Sequence, residues 1–247
     1  MKPRKIVQLG GAATDAARPR SERDVTQSGA HEVVIIGAGG FSRELLQYVL
    51  DEGRLTVRGF LDDRDSADLE LPQDYALLGR IADYVPVPGE AFVLAVGEPN
   101  VRAQIADRFL AAGGRFETVV HPRAYVASSA TIGAGSIIAP FASVGASARV
   151  GELVQVHFYA SVAHDVVVGR CTALSPYSVV NGGGRLGERV FMGTRATVNP
   201  LKAVGDGSKV TAGSVVYQDV PSGSIAMGNP AKSRRLMVAS EEAPSTG

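Results

Sequence analysis

Residues 126–168 read VASSATIGAGSIIAPFASVGASARVGELVQVHFYASVAHDVVV, and in this stretch an aliphatic residue returns at every sixth position. Val126, Ile132, Ile138, Val144, Val150, Val156, Val162 and Val168 open the series. Leu174, Val180, Leu186, Met192, Val198, Val204, Val210 and Val216 complete sixteen positions without a miss. The residue after each is often glycine (Gly133, Gly145, Gly151, Gly169) and the residue four after is usually small (Ser136, Ala142, Ala148). A six-residue beat of this kind marks a hexapeptide β-helix, in which each short strand points one aliphatic into the axis of a three-sided prism and small residues ease the corners. Three hexads make one coil of eighteen residues, and a little over five coils stacked at about 4.8 Å give a prism roughly 25 Å tall. Each buried aliphatic contributes about 1.5–3 kcal/mol, so the ladder is the main source of stability. A charge at Val180 is expected to be ruinous.

Upstream of the ladder the periodicity differs. Residues 32–40, EVVIIGAGG, read as a strand running into a glycine turn; FSRELLQYVLDEG (41–53) has helical spacing; VRGFLDD (57–63) reads as the next strand. A strand at AFVLAVG (91–97), a helix with Val101, Ile105, Phe109 and Leu110 on one face, and a short strand around 116–120 follow. This is βαβ architecture, a small Rossmann-like parallel α/β domain. The expected organisation is therefore an N-terminal extension (1–30), the α/β domain (31–121), the β-helix (122–236) and a tail (237–247).

Across 247 residues the 25 basic and 25 acidic side chains balance, which gives no bulk electrostatic reason to bind nucleic acid. The apolar runs are far short of the roughly 20 residues that span a bilayer. Residues 1–30 carry several arginines but no continuous apolar stretch of the kind a secretory signal needs. The expectation is a cytoplasmic protein with no membrane partner. Cys171, the one cysteine, permits neither an internal disulfide nor a multi-cysteine metal site.

The motifs GAGGFSRE (37–44), FLDD (60–63), VVHPRAYV (119–126), VAHDVVVG (162–169) and GNPAK (228–232) together resemble the bacterial sugar acetyltransferases of the sialic-acid O-acetyltransferase and UDP-4-amino-sugar N-acetyltransferase type. The resemblance covers about residues 32–236. It implies a left-handed β-helix, acetyl-CoA as co-substrate, and a homotrimer with acyl-donor clefts between neighbouring prisms. It also implies a nucleotide-activated amino sugar as acceptor.

Acyl transfer from a thioester needs a base for the attacking group's proton and donors for the oxyanion. His164 is the candidate base, in place of the family's catalytic histidine, with Asp165 to orient it. In an anonymous protein the pair would read as a surface histidine beside a solvated aspartate. Neighbouring side chains on a regular strand point oppositely, so the two can cooperate only if the backbone bends between them. Gly182 lies one coil of eighteen residues after His164, where its N–H could serve the oxyanion or the glycine could merely ease a corner. The resemblance places acetyl-CoA along the wall above His164, near Gly193, Thr194 and Ala212. Lys232 and Arg234-Arg235 are suited to its phosphates, or are solvated tail residues.

The loop of Gly37, Gly39 and Gly40 opens a helix and can hold a pyrophosphate on its N–H groups, with Asp62 and Asp63 placed for a ribose or base. By itself that loop would suggest NAD; the resemblance assigns it to the nucleotide of an activated sugar. Two positions depart from the family: Ala173 replaces a second histidine and His157 replaces an asparagine. His157 is either a substrate contact or a surface residue. Three other functions stay open. They are O-acetylation of free sialic-acid-like or aminoglycoside-like sugars, a non-catalytic nucleotide-sensing trimer, and a metal-dependent hydratase. The last needs about three histidine ligands, and no metal site is expected.

Overall fold

The computed structural model describes residues 31–236 apart from 66–68, 70 and 73, so the expected extension and tail lie outside the described residues. The first unit runs β1 (His31–Ile36), α1 (Gly40–Glu52), β2 (Leu55–Leu61), β3 (Ala76–Gly79), β4 (Ala91–Leu94), α2 (Pro99–Ala111) and β5 (Arg115–Phe116). Its parallel sheet has the order β3-β2-β1-β4-β5. The sheet thus grows in opposite directions from β1, and a crevice opens between the ends of β1 and β4. Alternation along β1 sends Val33 and Ile35 to a cluster with Leu45 and Val49 of α1. Val34 and Ile36 go to one with Ala103, Ala106 and Phe109 of α2.

Two details differ from the sequence reading. Helix α2 buries Arg102, Ala103, Ala106 and Phe109, while Val101 and Leu110 are exposed. The apolar face expected from Val101 and Leu110 is not the packed one, because an arginine occupies the centre of the real interface. The strand expected over 116–120 is two strands: Arg115–Phe116 belongs to the α/β sheet, whereas Val119–Val120 pairs with Ile137–Ile138. The prism therefore begins at Val119, ahead of residue 122.

From there each hexad supplies a two-residue strand that pairs in parallel with the strand one coil on: Val144 with Val162, Val162 with Val180, Val180 with Val198. Three sheets result. All the ladder residues from Ile138 to Val216 are buried, and only Val126 and Ile132, at the open end, are partly so. The small residues four after the ladder positions (Ala142, Ala148, Ala160, Ala196) also face the axis, so they fill the core between aliphatics instead of easing corners. Where this position is a buried hydroxyl it bridges coils. Ser136 donates to Gly151 O at 2.8 Å and accepts the Val154 N–H at 3.0 Å, and Thr172 repeats the arrangement with Gly187 and Val190.

The corner itself sits three residues after the ladder position. At fourteen successive corners, from Gly135 to Gly213, φ lies between 53° and 72°, and ten of these residues are not glycine. Left-handed backbone costs an L-residue about 1–2 kcal/mol, and here it is held by bonds between coils such as Asp165 N–H to Ala146 O at 2.9 Å. The glycines that follow ladder residues answer a different need: a Cβ on Gly133 or Gly169 would come within 2.5 or 2.4 Å of the next coil's backbone. A terminal hairpin, Ser224–Gly228 with Ala231–Arg235, closes the far end.

The α/β unit leans on the prism through both of its clusters, which include Val119, Ile137 and Ala139 on the α1 side and Leu153 and Cys171 on the α2 side. Among the described residues no helix is long and apolar enough to cross a membrane.

Candidate active site

His164 and Asp165 stand at one corner of the prism, and the left-handed φ of 59° at Asp165 supplies the bend that lets both side chains leave the same side. His164 Nδ1 lies 2.8 Å from Asp165 Oδ2. With Nδ1 donating to the carboxylate, Nε2 carries the lone pair. The corner is rigid: the Gly183 N–H donates to His164 O at 3.0 Å, one coil above.

Gly182 is where the eighteen-residue period puts it. A Cβ there would lie 2.5 Å from His164 Nε2, so only glycine leaves the ring in place. Its N–H has no acceptor among the described residues. The equivalent position is a proline without an N–H at Pro140, Pro176 and Pro200, and at Glu188 the N–H donates to Asp206 Oδ1 at 2.8 Å; what singles out Gly182 is that it packs against the His164 imidazole. Ala163, His164, Asp165, Asn181, Gly182, Gly183, Pro200 and Leu201 line a cleft of about 630 Å³. Asn181 and Leu201 were not anticipated. Asn181 donates through Nδ2 to Val198 O at 2.9 Å.

The other expected acyl-donor residues are not in this cleft. Thr194 and Ala212, with Pro176, Tyr177, Arg195 and Gly213, line a second cleft of about 540 Å³ at the next corner of the prism. The Gly193 N–H is already donated to Val210 O, and a Cβ there would meet Ala212 N at 2.6 Å, so this glycine serves coil stacking. Lys232 is exposed on the terminal hairpin. Within one chain Gly193, Thr194 and Ala212, expected along the acyl-donor wall, lie a third of a turn from His164. Along the second corner Phe141, Tyr159 and Tyr177 stack at 5.1 and 4.9 Å, with Arg123 and Arg195 over the end rings.

The glycine loop forms at the expected place. Gly37 has φ +96°, and a Cβ would meet Ala95 O at 3.2 Å, across the crevice between β1 and β4. Gly39 is the N-cap of α1 and offers no side chain to cap it. The N–H groups of Gly39, Gly40 and Phe41 have no acceptor among the described residues, which suits an anion. By contrast Glu98 caps α2 through a 2.8 Å bond from the Val101 N–H. Ser42, where a G-x-G-x-x-G dinucleotide loop would have its last glycine, is buried and donates to Gly39 O at 2.6 Å.

Asp62 and Asp63, expected near a ribose or base, are also engaged by the fold itself. Asp62 is buried and accepts the Ala38 N–H at 2.7 Å and the Arg64 N–H and guanidinium at 2.9–3.0 Å. Asp63 accepts the Ala82 N–H at 2.8 Å. Burial pushes the Asp62 pKa up, but the bonds from Arg64 and Ala38 outweigh it and hold the group at about 2, below its ordinary 3.8. A depressed folded pKa contributes stability above the unfolded value that is lost as pH falls through the folded one. Wild type should therefore lose Tm as pH falls from about 4 to about 2, and Asp62→Asn should melt lower at neutral pH and show a shallower acid decline in a pH series of melts.

His157 is half-buried, not a surface residue: its ring packs 4.7 Å from Phe41 at the edge of the glycine loop, and burial holds its pKa down at about 4. Cys171 is fully buried, with burial raising its thiol pKa, and is remote from the cleft lining. Cys171→Ser should leave kcat nearly unchanged while lowering Tm, as thiol-independent thioester assays and melts will test. Among the described residues no group of three or more His, Cys, Asp or Glu side chains could hold a metal ion.

The chain thus joins a prism bearing an outward His-Asp pair to a glycine-loop α/β unit. Comparison with known proteins gives the family. Residues 32–109 match the PglD N-terminal domain. The acetyltransferase domain of PglB from Neisseria gonorrhoeae, solved in complex with acetyl coenzyme A, is 31% identical with a TM-score of 0.76, over 83% of this chain and 99% of that one. Perosamine N-acetyltransferase from Caulobacter crescentus, solved with CoA and GDP-perosamine, is 26% identical with a TM-score of 0.74, over 83% and 98%. The UDP-N-acetylbacillosamine N-acetyltransferase of Bacillus subtilis is 30% identical over 113 residues, 43% of this chain. The matched segment spans about half the length of that curated relative, 50%. The chain belongs to the family of sugar acetyltransferases with a PglD-type N-terminal domain, and its β-helix is left-handed as theirs is.

Proposed function

We propose that this protein transfers acetyl from acetyl-CoA to an amino group of a nucleotide-activated sugar, with His164 as general base. The observation that carries the reading is the His164–Asp165 pair held at 2.8 Å with Nε2 against Gly182. The UDP-N-acetylbacillosamine and perosamine N-acetyltransferase relatives, and the relatives solved with acetyl coenzyme A or CoA, support the substrate class.

In this reading the acceptor nitrogen attacks the thioester carbonyl as Nε2 takes its proton, and the Asp165 carboxylate stabilises the imidazolium that results. The C–N bond forms and the carbonyl oxygen takes up the negative charge, where the Gly182 N–H meets it. The tetrahedral species then collapses, the C–S bond breaks, and the imidazolium returns a proton to the leaving thiolate. The apolar walls from Ala163, Pro200 and Leu201 limit water and thus competing hydrolysis. Gly182→Ala drives a methyl into the imidazole and should lower kcat by about 10²-fold or more with little change in Tm; paired kinetics and melts check it.

The nucleotide diphosphate is assigned to the free N–H groups of Gly39, Gly40 and Phe41, with the Arg64 guanidinium nearby. His157 beside Phe41 is assigned to the sugar. A second chain that turned its Tyr177–Thr194–Ala212 corner toward His164 would complete the acyl-donor site, which favours a homotrimer. Light scattering should return three chains per particle, and a monomer with full activity would contradict the shared site.

A further inference from the structure

Arg102 is 1% exposed at the centre of the junction between the two units, and among the described residues no carboxylate pairs with it. Its guanidinium donates to Leu153 O at 3.1 Å, Val96 O at 2.8 Å, Gly97 O at 3.0 Å, Gln155 Oε1 at 2.9 Å and Cys171 O at 2.6 Å. Leu153 and Cys171 are corner residues of successive coils, and the α/β unit buries their carbonyls away from water. Val96 and Gly97 form the β4–α2 loop, the wall of the crevice that faces Gly37. Gln155 completes the arrangement by donating from Nε2 to Leu94 O at 3.0 Å and to Val96 O at 3.3 Å. Burial lowers the Arg102 pKa to about 10, so the fork keeps all its donors at neutral pH.

We infer that Arg102 and Gln155 are positioning residues that lock the 94–97 wall of the nucleotide crevice to the prism, and so fix the distance between the bound nucleotide and the acyl-transfer corner. This rests on the nucleotide-sugar reading above. A purely adhesive pair would need only to be satisfied internally. This pair spends its donors on both the crevice loop and two coils of the catalytic prism, which ties the placement of one site to the other. Only a planar fork reaches acceptors in that many directions, so lysine is no substitute.

The test uses the full-length protein with Gln155→Glu and Arg102→Lys. Gln155→Glu gives Arg102 a carboxylate partner but removes the donor to Leu94 O and Val96 O, so it separates junction stability from loop placement. It should keep Tm near wild type, raise hydrogen exchange at residues 95–98, and raise KM for the nucleotide sugar about tenfold with KM for acetyl-CoA unchanged. Arg102→Lys should lower Tm by about 10 °C and shift the same KM. Unchanged exchange at 95–98 and an unchanged nucleotide-sugar KM in folded Gln155→Glu would overturn the inference. If wild type transfers no acetyl group to any nucleotide sugar, the functional reading fails, and the exchange at 95–98 still decides whether the pair holds the loop.

Discussion

His164→Ala should fold and melt like wild type yet transfer acetyl at a kcat lower by about 10²–10⁴-fold. The two halves of this expectation have separate physical sources. The His164 side chain is 69% exposed and its one side-chain partner, Asp165, is 64% exposed, so neither packing nor a buried bond is lost. On the proposed reading chemistry loses the group that takes the acceptor's proton, and no other histidine lines the cleft among the described residues. Asp165→Asn should fall between the two: the ring keeps a partner at Nδ1, but the imidazolium is no longer stabilised by a charge. Steady-state thiol release with purified variants measures both, and a His164→Ala protein with full activity would remove the base assignment.

Val180→Asp should give no folded protein at all. Val180 is fully buried, with Val162 and Val198 as its ladder neighbours below and above. The carboxylate would sit in an aliphatic axis with no donor in reach, at a cost above about 4 kcal/mol. The parallel stack worsens it, since each coil is held by its neighbours and a break at mid-ladder splits the prism. One rung on, Arg185 points outward and is exposed, so Arg185→Asp should change stability by less than about 0.5 kcal/mol. Soluble yield and urea unfolding of the two variants test the inward phase of the ladder directly.

The inward phase was legible because every coil repeats the same demand, one aliphatic per hexad, and sixteen repeats leave no competing register. The corners were not. Ten of the fourteen left-handed residues are ordinary types such as Phe141, Leu153 and Arg189; the contacts between coils impose that backbone, and nothing local announces it. The same period explains why Gly182 lies against His164 and Thr194 does not. Gly182 follows His164 by one full coil, whereas Thr194 follows it by thirty residues, which is not a whole number of coils and lands on another corner. Asp62 reads as a ligand group because it ends a strand near the glycine loop; that it also accepts the loop's own Ala38 N–H was not legible. Arg102 was invisible, since an arginine in a helix reads as solvated until the fold brings five acceptors around it.

The most direct test of acetyl transfer to a nucleotide-linked amine is one assay: purified protein, acetyl-CoA and a panel of UDP-, dTDP- and GDP-4-amino sugars, with thiol release followed alongside the mass of the sugar product. The expected result is thiol release with at least one of these sugars, matched by an acetyl group on its amine and abolished in His164→Ala. Thiol release matched by free acetate alone, or acetylation that persists in His164→Ala, would contradict it.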